Sequence, residues 1–305
     1  MAYTLVDSWK GKEFLHGNVK NKISYKWSFV NYKKDPTNGC VNYVKNNDLG
    51  LVSVDSNDKL KIRVSPTVNP NGFRSAVRIT TESVDLSKSY NGGVFVIDVD
   101  HIPEGNSVWP AFWMFGPNWP SSGEIDIIEQ CNSYDFTTSI NQVALHTKKG
   151  CFLNIHGKLV DCSSPVGATI KFKEENSFGY GFNRNGGGVF VTEWIFNGRI
   201  KFWFFPRNKI PSNINDSMEF FDTSILGKPS AVFPESTGYF KNQNLVINTT
   251  LCGDWAGKIF TDAKYKTCPE MVADPTNTYS EAYWLINYVK VFTLNQQAKE
   301  LVSVK

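Results

Sequence analysis

The segment "GGVFVTEWIFNGRIKFWFFP", from Gly187 to Pro206, carries the clearest fold signal of the chain. Its two halves are rich in β-branched and aromatic residues, which favour strands. Asn197-Gly198 separates the halves, and this dipeptide is favoured in the type I′ turn of a two-residue β-hairpin loop. The segment therefore predicts an antiparallel hairpin with a type I′ turn.

Similar apolar runs recur along the chain, and clusters of Gly, Pro, Asn and Ser separate them, as expected for successive strands. Sustained helical periodicity, internal repeats and a Pro/Ser-rich linker are not found. The pattern predicts one all-β domain over residues 1–293, an antiparallel sandwich of jelly-roll type, and a tail over 294–305. Examples of the runs are "KLKIRVS" (59–65), "GVFVIDVD" (93–100), "WPAFWMF" (109–115), "LVINTTL" (245–251) and "YWLINYVKVFTL" (283–294).

The composition argues against two kinds of partner, nucleic acid and the membrane. Hydrophobic residues make up 41% of the 305 residues, which is enough for a substantial core, and 32 basic and 29 acidic residues give a net charge of +3. No basic run or stripe is present, so nucleic acid is not an expected partner. No run of 18 or more apolar residues is present, so a membrane span is not expected either.

The six cysteines indicate an oxidising compartment, although six reduced thiols are the alternative. Two pairs lie close in sequence and permit short local bridges: Cys151 with Cys162 and Cys252 with Cys268. Cys40 and Cys131 remain, and because six cysteines allow 15 pairings, the connectivity stays open. No CxxC pair occurs, which argues against a structural zinc site.

Two glycosylation sequons, at Asn215 and Asn248, fit a secreted protein but also occur by chance. The opening residues "MAYTLVDSWK" lack the charged start and apolar centre of a signal peptide. We expect an extracellular protein whose leader has been removed.

The stretch "SSGEIDIIEQCN" places Glu124, Asp126 and Glu129 among isoleucines. In a regular strand Glu124 and Asp126 share a face and Glu129 points away. A β-bulge at one of the two isoleucines before Glu129 would bring all three acids to one face. Because crowded carboxylates raise one another's pKa and destabilise a fold, such a row indicates a function.

Three uses of these acids compete: a solvated strand face, a calcium site, and glycoside hydrolysis. In a retaining glycosidase two carboxyl groups stand about 5–5.5 Å apart across the scissile bond. Trp109, Trp113 and Trp119 come just before the acids. Each of them can be a core residue, but sugar rings also pack their C–H faces on aromatic rings. The combination favours a carbohydrate cleft.

The segment "WPAFWMFGPNWPSSGEIDIIEQCN" resembles the catalytic segment of glycoside hydrolase family 16, with its Glu-x-Asp-x-x-Glu signature. Further segments resemble fungal laminarinases of this family in the same order, so the resemblance extends from about Tyr3 to Phe292. These segments are "DPTNGCVNYV", "SAVRI", "VALHT", "NGGGVFVTEW", "KFWFFPRN", "LCGDWAG" and "AYWLINYVKVF".

The resemblance implies a concanavalin A-like β-sandwich with an open cleft on its concave face. It implies that Glu124 is the nucleophile, that Glu129 is the general acid/base, and that Asp126 lies between them. The implied enzyme is a retaining endo-hydrolase of β-1,3-glucan and β-1,3/1,4-glucan. We expect it to act on the polysaccharide as a monomer, without a metal or other cofactor.

The resemblance also suggests aromatic walls for this cleft. Trp109 and Trp113 resemble sugar platforms beneath the cleaved unit. Trp255 resembles an aromatic wall on the other side of the nucleophile, positioned if a bridge between Cys252 and Cys268 holds its loop.

Polar cleft residues are implied as well. His146 resembles a histidine near the acid/base, with a structural hydrogen bond as the alternative. Arg78 and Asn42 resemble hydroxyl-binding residues of the cleft floor, although a surface or salt-bridge role remains open for Arg78. Cys131 departs from the family pattern, and Cys40 lies two residues from Asn42, which puts this part of the floor in doubt.

Two further functions remain as alternatives. Some proteins of this fold bind β-glucan without cutting it, but they typically lack the catalytic pair, which is present here as Glu124 and Glu129. A transglycosylase would keep the pair and replace water with a sugar hydroxyl.

Overall fold

The computed structural model describes residues 2–16, 27–81, 90–234 and 238–294. Apart from Leu294, the predicted tail lies outside the described residues. Three short helices are α1 (Glu13–His16), α2 (Gly179–Arg184) and α3 (Cys268–Ala273). The strands are β1 (Ala2–Trp9), β2 (Ser28–Phe29), β3 (Val41–Tyr43), β4 (Val52–Val54), β5 (Leu60–Arg63), β6 (Arg74–Ala76), β7 (Arg78–Thr80), β8 (Gly93–His101), β9 (Val108–Phe115), β10 (Glu124–Glu129), β11 (Gln142–His146), β12 (Phe152–Ile155), β13 (Lys158–Asp161), β14 (Ala168–Lys171), β15 (Gly188–Trp194), β16 (Ile200–Pro206), β17 (Phe220–Asp222), β18 (Ala231–Phe233), β19 (Asn244–Leu251) and β20 (Tyr283–Leu294).

Two large antiparallel sheets form a sandwich, as predicted. One sheet has the order β17-β1-β20-β8-β15-β16-β18, with β5 also paired to β20 and β4 to β5. The other has the order β14-β11-β10-β9-β19-β7-β2. β12 and β13 form a separate hairpin, and β3 pairs with β6 in parallel. The second large sheet contains the acidic strand β10 near its centre.

The hydrophobic core lies between the two sheets. β9 shows how the alternation of a strand divides its residues between core and surface. Phe112 and Met114 are fully buried in the core, while Trp113 and Phe115 point to the opposite face and are partly exposed. Trp284 of β20 reaches the same core from the other sheet. This sheet therefore has one face in the core and one face free for a site.

The predicted hairpin is confirmed, but its turn differs from the prediction. β15 pairs with β16 from Gly188↔Pro206 to Trp194↔Ile200, so residues 195–199 form a loop longer than two residues. Gly198 donates to the carbonyl of Ile195 at 2.8 Å, and Asn197 has a left-handed φ of 56° while Gly198 does not. A type I′ turn needs positive φ at both residues. Asn197 instead accepts a bond from the N–H of Gly238 in a neighbouring loop.

The two short disulfides form, and two cysteines stay unpaired. Cys151 bonds to Cys162 and Cys252 bonds to Cys268. In the described part of the chain, Cys40 and Cys131 are buried free thiols. That part also contains no helix long and apolar enough to span a membrane.

Phe112→Ala tests the importance of the core beneath the acidic strand. The side chain is fully buried, so its loss should lower the free energy of unfolding by about 3–5 kcal/mol. Phe220 on β17 is 67% exposed, so Phe220→Ala should change it by no more than about 0.5 kcal/mol. Urea denaturation measures both values, and equal losses in the two variants would contradict this account of the core.

Candidate active site

A β-bulge in β10 brings the three acids to one face, as predicted. Asp126 lies opposite Trp113 of β9, but Ile128 lies opposite the next residue, Phe112. Ile127 is therefore the extra residue. Because the alternation restarts after it, Glu129 joins Glu124 and Asp126 on the face away from the core.

This face forms the floor of a cavity of about 330 Å³. Strands from the middle of the sheet supply the floor, and the segment after β2 supplies part of the wall. Residues lining the cavity include the three acids of β10, Trp109, Ala111, Trp113 and Phe115 of β9, Arg78 of β7, Asn248 and Thr250 of β19, and Tyr32, Asp35 and Trp119 from loops.

Two tryptophans hold the outer carboxylates in place. The indole N–H of Trp119 donates to Oε2 of Glu124 at 2.7 Å, and that of Trp109 donates to Oε1 of Glu129 at 2.9 Å. Each bond stabilises the charged form of its carboxyl group and fixes the orientation of the group in the cavity. The donors approach from loops and strands on opposite sides of the acidic row.

The central acid has a different environment. Asp126 is only 2% exposed, and its Oδ2 has no hydrogen-bond partner among the described residues. Nε2 of His146 on β11 lies 3.5 Å from this oxygen. His146 pairs in register with Glu124, so its ring stands beside the acidic row rather than beside Glu129 alone.

Burial dominates the electrostatics of the row. It raises the pKa of Glu124 to about 7, against smaller lowering effects of the Trp119 bond and the Arg78 charge. It raises the pKa of Glu129 to about 7, against the Trp109 bond and His146. Burial, together with Glu129 and Glu124, also raises the pKa of Asp126. The row therefore retains protons near neutral pH, as interacting carboxyl groups do.

The two expected sugar platforms line the cavity. Trp109 contacts Trp255 edge to face, with ring centroids 5.6 Å apart. Trp113 donates its indole N–H to Asn248 at 2.7 Å. Trp255 thus packs on the tryptophan that binds Glu129. The Cys252–Cys268 bridge does adjoin its loop, the π-helical turn Gly253–Gly257.

Arg78 reaches the cavity, whereas Asn42 does not. The Arg78 guanidinium is buried, 4.8 Å from the ring centroid of Trp113 and 5.1 Å from that of Tyr32, and its Nε has no hydrogen-bond partner in the described chain. Arg78 is therefore a cavity residue and not a surface residue. Asn42 lies outside the lining, on β3, and its side-chain amide exchanges hydrogen bonds with that of Asn71.

Asp35 is a cavity residue that was missed in the sequence. It is 4% exposed and accepts hydrogen bonds from the backbone of Thr37 and Gly39 and from the hydroxyl of Thr250. Thr37 in turn accepts the backbone N–H of Asp254, next to Trp255. Asp35 thus connects β19 to the loop that carries Trp255. Asp35 begins the family-like segment "DPTNGCVNYV", but the turn-forming composition of "DPTNG" does not show that its carboxylate bonds to β19.

Trp119 is predicted only as a member of the tryptophan cluster beside the acids, and not as a hydrogen-bond donor to Glu124. The sequence gives no sign that its indole reaches Glu124 across a loop. Asn248 was noted only as a sequon, yet both ends of its side-chain amide are bonded inside the cavity, to Trp113 and to Tyr43.

The chain is similar to proteins of one family over most of its length. Residues 27–292 match the family described as "XgeA-like, catalytic GH16 domain". A probable endo-1,3(4)-beta-glucanase of Aspergillus clavatus is 36% identical, over 96% of this chain and 47% of that protein. The chain thus spans about half the length of the curated relatives it matches.

Two solved structures combine high identity with the same fold. An elongating β-1,3-glucosyltransferase of GH family 16 is 35% identical with a TM-score of 0.79, over 95% of this chain and all of that one. Laminarinase 16A from Phanerochaete chrysosporium is 30% identical with a TM-score of 0.81, over 96% of this chain and all of that one. That structure holds β-glucans in both its donor and acceptor sites.

Asp126→Asn tests the cost of the crowded acids. The pKa of Asp126 is higher in the folded than in the unfolded protein. The carboxyl group therefore stabilises the fold below its ordinary pKa, and this contribution is lost as the pH rises through the pKa of the folded protein. The variant should therefore be more stable than the wild type at pH 8, by about 1 kcal/mol or more, since one pKa unit corresponds to about 1.4 kcal/mol. The gain should be smaller at pH 4.

Asp135→Asn is a control of opposite sign. Asp135 accepts bonds from Thr137 and Thr138, which lower its pKa, so its contribution is present above the ordinary pKa and is lost as the pH falls. The Asn variant should lose stability at pH 8. Denaturation curves at both pH values measure these changes, and a gain for Asp126→Asn that is independent of pH would contradict the electrostatic explanation.

Proposed function

The chain belongs to glycoside hydrolase family 16, and we propose that it is a retaining endo-β-1,3(4)-glucanase acting on laminarin-type glucans. The observation that supports this most directly is the bulge at Ile127, which places Glu124 and Glu129 on one cavity face. Each of these acids has its own indole donor, and aromatic side chains surround them. This is the arrangement needed for a nucleophile and an acid/base.

In the proposed first step, a carboxylate oxygen of Glu124 bonds to the anomeric carbon while Glu129 gives its proton to the departing glycosidic oxygen. In the second step Glu129 takes a proton from water, and the water oxygen replaces Glu124 on the same carbon. Two inversions leave the β configuration of the product unchanged.

The surroundings support this division of roles. Arg78 favours the carboxylate form of Glu124, whereas the charge of Glu124 raises the pKa of Glu129. Burial lowers the pKa of His146, so its ring is neutral near pH 7 and leaves the proton on Glu129. Once Glu124 is esterified its charge is gone, the pKa of Glu129 falls, and Glu129 can act as a base.

Asp126 is proposed to assist both acids rather than to react. Burial and the charges of Glu129 and Glu124 raise the pKa of Asp126, which favours its protonated form. A protonated Asp126 can donate a hydrogen bond to a neighbouring carboxylate and reduces the negative charge of the row. It would thereby tune the nucleophilicity of Glu124.

The cavity walls suit a neutral sugar chain. Trp109 and Trp113 offer ring faces for the C–H surfaces of glucose. Arg78 and Asn248 supply polar groups that can bind hydroxyls. The neutrality of the glucan fits the balanced charge of the chain, because long-range attraction is not needed.

Transglycosylation on the same site is the second candidate. It is favoured by the similarity to the elongating β-1,3-glucosyltransferase, which this chain matches over all of that structure at 35% identity. Both reactions share the first step and differ in whether water or a sugar hydroxyl attacks the glycosyl-enzyme. A purely binding protein would have no use for the buried acids.

We further propose that the protein acts outside the cell as a monomer. The two disulfides are stable in an oxidising compartment. The Asn215 sequon lies in an exposed turn, where a glycan can be accommodated.

Product analysis on laminarin and mixed-linkage β-glucan tests the activity. The wild type should release short β-1,3-oligosaccharides whose initial anomer is β, as observed by NMR. Glu124→Gln and Glu129→Gln should each lower the rate by at least about 10²–10⁴-fold. Glu175→Gln, on the surface, should retain the activity.

The products also distinguish the alternatives. Products longer than the starting chains would indicate transglycosylation. An initial α anomer would contradict the retaining mechanism, and binding of both glucans without cleavage would leave only a recognition protein.

The sequons give a separate prediction for the secreted protein. In the folded fraction from a yeast secretory host, Asn215 should carry a glycan and Asn248 should not, because the Asn248 amide is bonded inside the cavity. Peptide masses before and after enzymatic deglycosylation measure this, with Asn215→Gln as the control. A folded, active fraction with a glycan on Asn248 would contradict the position of that residue.

A further inference from the structure

Three side chains at the acidic row have donor atoms close enough to share one ion. A carboxylate oxygen of Glu124, one of Asp126 and a ring nitrogen of His146 all lie within 4.8 Å of one another. Two are carboxylates and one is an imidazole, and they come from two adjacent strands that fix their backbone positions. The cluster excludes Glu129.

The central oxygen of this cluster lacks a partner. Asp126 is 2% exposed, and its Oδ2 accepts no hydrogen bond from any described residue. A buried carboxylate oxygen without a donor is destabilising. Nε2 of His146 lies 3.5 Å from this oxygen, which is too far for a good hydrogen bond.

The separation between Nε2 of His146 and Oδ2 of Asp126 suits two ligands of one metal ion. Zinc–ligand bonds to His and carboxylate are about 2.0–2.2 Å in tetrahedral geometry, so two ligand atoms lie about 3.3–3.5 Å apart. The distance from Nε2 to Oδ2 is 3.5 Å. Calcium fits less well, because it prefers six to eight oxygen ligands and no nitrogen.

Glu124 can complete the site without losing its existing bond. Trp119 donates to Oε2 of Glu124, which leaves the other oxygen available to an ion. Three protein ligands and one open position for water are typical of an accessible zinc site. The cavity provides access for water at that position.

We propose that Glu124, Asp126 and His146 form a binding site for a divalent transition-metal ion of the zinc type, which inhibits the enzyme by occupying the nucleophile. The ion provides the partner that Asp126 lacks. It also engages the carboxylate that must attack the anomeric carbon, so ion and glucan exclude each other. Ion binding is independent of the proposed function, whereas the inhibition depends on it.

Calorimetric titration with ZnCl₂ tests the site directly. Wild-type protein freed of metal with EDTA should bind one Zn²⁺ per chain. His146→Ala and Glu124→Gln should each weaken binding by about tenfold or more, because one of three ligands is lost. Glu129→Gln should retain the affinity, since Glu129 lies outside the cluster. His156→Asn is the matched control, because His156 is exposed on the β12–β13 hairpin.

Thermal unfolding checks the fold of each variant, and His146→Gln replaces His146→Ala if the latter does not fold. Zn²⁺ should also raise the unfolding temperature of the wild type more than that of the His146 variant, because a ligand stabilises the state that binds it. The site would be overturned if the wild type bound no Zn²⁺, or if the His146 and Glu124 variants bound it with the affinity of the wild type.

Inhibition is measured separately with laminari-oligosaccharides as substrate. Zn²⁺ should inhibit competitively, and EDTA should restore activity. If the inhibition is non-competitive although the His146 and Glu124 variants no longer bind Zn²⁺, the claim that ion and glucan exclude each other is wrong. If the protein cleaves no glucan at all, the proposed function fails while the calorimetry still decides the metal site.

Discussion

The site depends on a single extra residue in β10. Without the bulge at Ile127, Glu129 would point into the space between the sheets, and only Asp126 would share the face of Glu124. The bulge lets one strand satisfy two demands. Its isoleucines fill the core, while its three acids form the floor of the cavity. The rest of the concave sheet then supplies the surroundings of these acids.

Those surroundings only partly offset the cost of burying three carboxylates. Trp119 and Trp109 each stabilise one charged group, and Arg78 adds a positive charge. Asp126 receives no such compensation, and its pKa rises accordingly. The same imbalance that lowers stability keeps a proton available at neutral pH. The reactive protonation state and the instability thus have one cause. Removing the charge of Asp126 should therefore increase the stability and impair the reactive protonation state.

The features that depend on a short segment of the chain were predicted from the sequence. Alternation predicted the sandwich and the hairpin, and the spacing of the acids predicted the bulge. What failed depends on contacts between distant segments. Asn197 accepts a hydrogen bond from Gly238 of a distant loop, and Trp255 packs on Trp109 of β9. Asp35 organises loops that are far apart in sequence, which single-sequence patterns cannot show. The predicted roles of the site residues remain predictions until they are measured.

Whether water or a sugar hydroxyl completes the reaction depends on residues outside the acidic row. In the proposed mechanism Glu129 activates either acceptor, so the choice lies in what is held beside it. Trp109 and Trp255 are the aromatic groups on that side. The position of Trp255 depends on the Cys252–Cys268 bridge and on the loop that Asp35 connects to β19. We therefore expect proteins with the same catalytic strand to differ in outcome through these loops.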